Sequence, residues 1–285
     1  MVCRIFLYIQ SSFFKPKQLS SMKKMKMAFV AAISMSVLFV SCQKDVKTTK
    51  TEVSQEELNQ IAAMGFSTDG VMIESDGFIV EGDIFIPRAD LGKVSTSPNL
   101  VVANEEQYRT TNLVTGLPRT ITISVSSSLP AAYVTNTDAA IARYNALGLS
   151  LTFQRVSSGG NIVISAAPTG AGYLASAGFP TSAGNPHNSV LVNRSYLDTW
   201  NTNTVVSILA HEIGHCIGFR HTDYMNRQYS CGGRRYNEGA STVGAVHIPG
   251  TPTGVDANSW MLACLSATTN RPFNNNDKTA LTYLY

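Results

Sequence analysis

The hydrophobic period changes repeatedly along this chain, and each change marks an element. An apolar run from Met27 to Val40 gives way to a polar, lysine- and threonine-rich stretch, Gln43 to Thr51, which reads as a flexible tether. Ser54 then offers an N-cap and Glu57 the reciprocal position of a capping box, so a short helix is expected until Met64-Gly65-Phe66. Gly77 to Pro87 is strand-like and closes at its proline. Strict alternation from Arg119 to Val125 predicts a half-buried strand. Ile141, Tyr144 and Leu147 repeat at helical spacing, predicting a helix over 135–147 that starts near Thr137 or Asp138 and stops at Gly148. Leu149 to Val156 and Asn161 to Ala166 are two more strands, parted by Ser157-Ser158-Gly159-Gly160. The Gly-, Ala- and Ser-rich stretch Pro168 to Pro186 reads as a rim loop. Asn188 to Asn193 is a strand, expected at the sheet edge, where a substrate peptide would add as one more strand. Thr202 or Asn203 caps a second long helix through Ile217, and Asn276-Asp277 cap a last one, Lys278 to Tyr285, with Leu281 and Leu284 on its packed face.

Charge alters the reading of both ends. Lys23, Lys24 and Lys26 precede the apolar run, and Ser41-Cys42 follow it, the layout of an export signal. The run is shorter than the about 20 residues that a membrane span needs. The cysteine resembles the acylated first residue of a bacterial lipoprotein, although Phe39 stands where such signals carry leucine, and ordinary cleavage with Cys42 incidental is the other reading. Met22 is the expected start. The formal charge of +3 belongs to this leader: from Cys42 onward there are 16 Lys and Arg against 19 Asp and Glu, so no nucleic-acid partner is expected. From Glu52 to Glu106 acidic residues outnumber basic ones 11 to 2, and from Gln107 to Tyr285 the balance reverses. Such asymmetry suggests that the two parts pack together. Three regions follow: 1–41, leader and signal; 42–106, tether and acidic segment; 107–285, the main domain. The acidic segment is either a pro-segment covering a cleft, with a side chain such as Asp83 near the site, or a solvated N-terminal subdomain.

The chemistry lies in the long apolar helix. His211-Glu212-Ile213-Gly214-His215-Cys216-Ile217-Gly218-Phe219-Arg220-His221 reads H-E-x-x-H-x-x-G-x-x-H. His211 and His215 are one helical turn apart, about 5.4 Å along the axis, so both imidazoles leave one face. That spacing suits Zn²⁺. Gly218 permits the positive φ that ends the helix and lets His221 swing back as third ligand. Three protein ligands leave the fourth position open, as in a hydrolytic site, and Glu212 stands where it can take a proton from a zinc-activated water.

This pattern is that of the metzincins. The strings HEIGHCIGFRHTD and GVDANSWMLAC resemble the dual-action HEIGH metallopeptidase family, over about Asn59 to Tyr285. The resemblance implies an α+β zincin: a twisted mixed sheet, two helices above the cleft, and a Met-turn and C-terminal helix below. It implies that Met261, in Ser259-Trp260-Met261-Leu262, is the Met-turn methionine. The tyrosine that some metzincins carry two residues later is absent, since Ala263 stands there. The expected activity is extracytoplasmic zinc endopeptidase, acting as a monomer on protein or peptide substrates, held to a membrane only by a lipid. The alternative is a surface adhesion or binding lipoprotein with a structural zinc.

Among the cysteines outside the leader, a Cys231–Cys264 bridge with Cys216 free and buried is preferred, and the other pairings stay open. Asp223 either orients a ligand histidine or caps a loop. Arg220 is expected to be packed or ion-paired, and His187 and His247 to be structural or at the surface.

Overall fold

A computed structural model describes residues 52–92, 107–239, 244–252 and 256–285; the signal stretch, the tether with Cys42, and Gly254-Val255 lie outside the described residues. In chain order the elements are α1 (Gln55–Ala63), β1 (Met72–Glu74), β2 (Gly77–Val80), β3 (Ile84–Pro87), β4 (Tyr108–Arg109), β5 (Arg119–Val125), α2 (Ala131–Asn145), β6 (Leu151–Val156), β7 (Ile162–Ala166), β8 (Ala175–Ala177) and β9 (Ser189–Val192). After them come α3 (Arg194–Leu197), α4 (Thr202–Ile217), α5 (Gln228–Cys231), β10 (Val246–His247) and α6 (Asn275–Leu284). The fold is mixed α+β. Among the described residues no helix is long and apolar enough to cross a membrane.

Eight strands form one mixed sheet in the order β1-β2-β3-β8-β9-β7-β5-β6, and β10 pairs with β4 beside it. The centre is parallel: β5 lies between β6 and β7, and β7 pairs with β9. Alternation along β5, β6, β7 and β9 buries Ile121, Ile123, Leu151, Phe153, Ile162, Ile164, Val190 and Val192. The alternate positions, such as Thr120, Thr152 and Gln154, stay outside, the pattern of a sheet covered on one side. Helices α2 and α4 pack on each other and on the sheet. Helix α4 contains the β-branched Val205, Val206 and Ile208, which form helices poorly by themselves. Every residue from Thr204 to Ile217 is buried, so tertiary packing holds this helix.

Several elements depart from expectation. The Asn188–Asn193 segment is not at the sheet edge: β9 is the last strand of the parallel core, and antiparallel β8 pairs on its far side. Strand β8 arises from the supposed rim loop. Ala175, Ser176 and Ala177 are all buried, and their small side chains admit α4 at close range, so composition disguised a strand as a loop. Gly77 to Pro87 is a hairpin rather than one strand, broken where Glu81 and Gly82 adopt positive φ of 55° and 94°. Helix α2 begins a turn early, after Pro130, and Thr137 instead bonds back to the Tyr133 carbonyl at 2.7 Å inside it. The caps of α4 and α6 are Asn201 and Asn274, each just upstream of the residues favoured by pattern. Helix α1 has the expected Ser54–Glu57 capping box.

Among the described residues there are three hydrophobic clusters, two of them large and the third only Tyr108, Tyr224 and Ala245. The main one runs from Val114 to Tyr285 and includes the inner face of α4, Trp260, Met261 and Leu281. The second consists of Ile61, Met64, Phe66, Phe78, Val80, Ile84 and Ile86, with Phe179 the partly buried residue that meets them from the body. Cys231 and Cys264 are joined in a disulfide, and Cys216 is a buried free thiol.

Candidate metal centre

Helix α4 delivers His211 and His215 on one face and then ends at Gly218, whose φ of 110° is left-handed. A Cβ there would come within 2.7 Å of Leu113 and 3.0 Å of the Asn112 carbonyl, so both conformation and space require glycine. The chain after the turn is held by the β4 region: Thr110 N–H donates to the Gly218 carbonyl at 2.8 Å and Arg220 N–H to the Tyr108 carbonyl at 2.9 Å. This places His221 opposite the two helical histidines, with its ring centroid 5.3 Å from that of His211 and 4.8 Å from that of His215.

Each imidazole is oriented through Nδ1. His211 Nδ1–H donates to the Trp260 carbonyl at 2.9 Å and His215 Nδ1–H to the Phe219 carbonyl at 2.8 Å. His221 Nδ1 lies 2.8 Å from Glu238 Oε1. These contacts leave the three Nε2 lone pairs facing one point. A fourth donor meets them there: Asp83, the residue that follows the Glu81-Gly82 turn. Its Oδ2 is 3.2 Å from His221 Nε2 and 3.8 Å from His211 Nε2, while His215 Nε2 and His221 Nε2 are 3.2 Å apart. One ligand atom from each of Asp83, His211, His215 and His221 lies within 4.8 Å of all the others.

This donor set fits a metal ion. A tetrahedral ion bound at about 2.0–2.1 Å has donor edges of about 3.3 Å, close to these separations. Facing lone pairs on His215 and His221 repel unless a cation lies between them. His211 Nε2 is buried with no hydrogen-bond partner among the described residues, a cost that coordination removes. Burial is the largest influence on the imidazoles: it brings His211 down to about 4, with His221 adding to the shift, and lowers His215 well below its ordinary value. At His221 burial is outweighed by Asp83 and Glu238, and the pKa rises. Burial also raises Asp83, but the neighbouring imidazoles, His221 first, hold its carboxyl far below the usual range. Burial, then Asp83, pushes Glu212 well above the range of an exposed carboxylate.

Glu212 is buried, and its Oε2 has no partner among the described residues. It borders a cleft of about 220 Å³ lined by Asp83, His211, Ile208, Leu262, Ala263 and Arg227. Met261 is fully buried, and its carbonyl accepts from the N–H of Thr222, next to His221, at 3.0 Å. A Cβ at Gly214 would come within 2.7 Å of its sulfur and 3.0 Å of the Trp260 ring, so Gly214 lets this turn pack directly on the helix. The turn is tied down by α6. Asp277 accepts from Ser259 Oγ at 3.0 Å, Trp260 N–H at 3.2 Å and Gln107 Nε2 at 2.7 Å. The C-terminal Tyr285 hydroxyl donates to the Ile217 carbonyl in the last turn of α4.

Asp223 touches no ligand histidine. It accepts from Ser230 Oγ and from Ala263 N–H at 3.0 Å, joining the loop after His221 to the turn that bears Met261. The carboxylate that does orient a histidine is Glu238, which the pattern did not single out. It lies 17 residues after His221 in a polar loop, and no local spacing marks it. Arg220 is fully buried and pairs with Glu81 at 3.2 Å, with Glu238 at 3.8 Å.

A model of the dual-action HEIGH metallo-peptidase family matches residues 79–285. Among solved structures, one of myroilysin is 17% identical, covering 40% of this chain and 54% of that chain at a TM-score of 0.31. The chain thus spans about half of that protein. A second structure, a crystal structure of myroilysin, is 14% identical, covering 68% of this chain and 93% of that chain at a TM-score of 0.37. No curated protein matches the chain.

Proposed function

The chain belongs to the dual-action HEIGH metallo-peptidase family, and from that premise we propose that it is an exported zinc endopeptidase of the metzincin type. The observation that carries the reading is the convergence of three histidine Nε2 atoms beside Glu212, a carboxylate that the metal does not need. The donor set of three imidazole nitrogens and one carboxylate oxygen, at near-tetrahedral spacing, supports zinc. The left-handed Gly218, the third histidine after it and the buried methionine turn support the metzincin assignment.

His211, His215 and His221 would hold the ion, with the Trp260 and Phe219 carbonyls and Glu238 fixing ring orientation. When bound, zinc supplies a Lewis acid that polarises the scissile carbonyl and lowers the pKa of the attacking water to about 7. Glu212 takes the proton from that water on a carboxylate oxygen and passes it to the departing amine. Substrates are proteins or peptides. The lysine-rich leader supports export, Cys42 supports tethering by lipid, and the Cys231–Cys264 disulfide is compatible with an oxidising compartment.

The test is hydrolysis of a generic protein such as casein by the processed protein. Cleavage blocked by a chelator, restored by Zn²⁺ and lost in Glu212→Gln is expected. Metal-free protein that cleaves as fast as the loaded form would refute the reading.

A further inference from the structure

Glu238, the carboxylate behind His221, is itself held by two arginines. It is buried, and a buried carboxylate costs free energy unless a cation compensates it. Arg227 Nε lies 3.1 Å from Glu238 Oε1, the same oxygen that faces His221 Nδ1 at 2.8 Å. Arg220 is farther away, 3.8 Å from Oε2, and divides its charge with Glu81 at 3.2 Å. Arg227 is therefore the closer partner.

The main chain sets Arg227 and Glu238 side by side. Arg227 N–H donates to the Tyr236 carbonyl at 2.9 Å and Glu238 N–H to the Tyr224 carbonyl at 2.7 Å, so the loop between them closes on itself. The Cys231–Cys264 disulfide pins that loop to the chain after Met261. The other nitrogens of the guanidinium also meet fixed groups: Nη1 donates to the Glu81 carbonyl, and Nη2 lies 3.9 Å from Cys264 Sγ. Tied at three points, the planar head has no freedom to swing away from Glu238. A groove of about 310 Å³, bordered by Ser67, Asp69, Asn237 and Glu238 itself, lies beside the pair. It offers the carboxylate a way out to solvent.

We propose that Arg227 is a positioning residue for the metal centre. Its guanidinium keeps Glu238 turned inward, and through Glu238 it fixes the ring of His221 with Nε2 toward the other two histidines. Without that charge Glu238 turns to the groove, where water solvates it, and His221 loses the acceptor that orients it. This rests on the three histidines holding a metal ion, and it is independent of the bond that the site hydrolyses.

The experiment measures zinc affinity by competition with a chromophoric chelator, and the visible spectrum of the Co²⁺-loaded full chain. Wild type, Arg227→Gln, Arg227→Lys, Glu238→Gln and the Arg227→Gln/Glu238→Gln double variant are compared. Arg227→Gln keeps an amide donor for the Glu81 carbonyl but removes the charge. It should lose about 10–100-fold in zinc affinity and change the cobalt spectrum. Arg227→Lys restores the charge on an unforked head and should recover to about threefold below wild type. In the Glu238→Gln background, Arg227→Gln should cost less than about twofold more, since its route to the metal is already cut. Should Arg227→Gln not fold, Arg227→Lys carries the same cycle: its loss must appear beside Glu238 and vanish in the Glu238→Gln background, and any other result overturns the proposal. Wild-type affinity in Arg227→Gln, or an equal loss in both backgrounds, overturns it as well. A wild-type chain that binds no zinc brings down the metal reading itself, and this proposal with it.

Discussion

The N-terminal layer and the body share one sheet but are built on different terms. In the body, parallel strands β5, β6, β7 and β9 lie under α2 and α4, and their apolar side chains join a single cluster that also contains the metal helix. In the N-terminal layer, β1, β2 and β3 form short antiparallel pairs over a separate cluster closed by α1. The body is held by apolar burial, whereas the layer meets the body through Glu74, Glu81, Asp83 and one strand edge, with Phe179 and the Phe85–His187 ring pair as its apolar contacts. The body's shape thus rests on apolar contacts, and the placement of Asp83 beside the histidines rests mainly on polar ones.

The largest test of this division removes a donor from the body. His215→Ala should weaken metal binding by on the order of 100-fold or more, since even contacts behind a ligand are worth about 10–100-fold. Equilibrium dialysis against zinc reads it, and unchanged affinity would separate the histidine cluster from the metal. Paired core truncations come next. Ile121→Ala, in the main cluster, should cost about 2–5 kcal/mol in the unfolding of the body. Ile84→Ala, in the second cluster, should leave that transition nearly in place and instead speed proteolysis of the N-terminal layer. Equal losses in one cooperative melt would show that the two clusters are one unit. Glu238→Gln tests whether the ring of His221 depends on its carboxylate: zinc affinity should fall about 10–100-fold with the fold intact by circular dichroism. Gly214→Ala comes last, at about 1–3 kcal/mol of thermal stability: the flexible Met261 side chain can move from the new methyl group, but the buried Trp260 ring 3.0 Å away must also give.

What could be read from sequence was local. The three histidines, the left-handed Gly218 and the Ser54–Glu57 capping box depend on neighbours within eleven residues, and their spacing alone carries the geometry. Asp83 was half legible: the charge imbalance marks the acidic segment as a partner for the body, but only the Glu81-Gly82 turn aims that carboxylate at the metal site. Strand β8 was illegible because Ala-Ser-Ala carries no hydrophobic alternation, and its small residues answer to the packing of α4 rather than to strand propensity. Reading Pro168–Pro186 as a loop then moved the expected edge to β9. Glu238 and Asp277 escaped for another reason. Each acts across tens of residues or from another element, Glu238 on His221 and Asp277 on the turn before Met261, and no periodicity records a contact made only by folding.

The central claim is that the histidines hold the ion while Glu212 carries the proton. The most direct measurement compares zinc content and peptide hydrolysis of processed Glu212→Gln with the processed wild type. One zinc per chain in both, with hydrolysis in the variant reduced about 10²–10⁴-fold, is the expected result. A variant that keeps its zinc and turns over at the wild-type rate would contradict it.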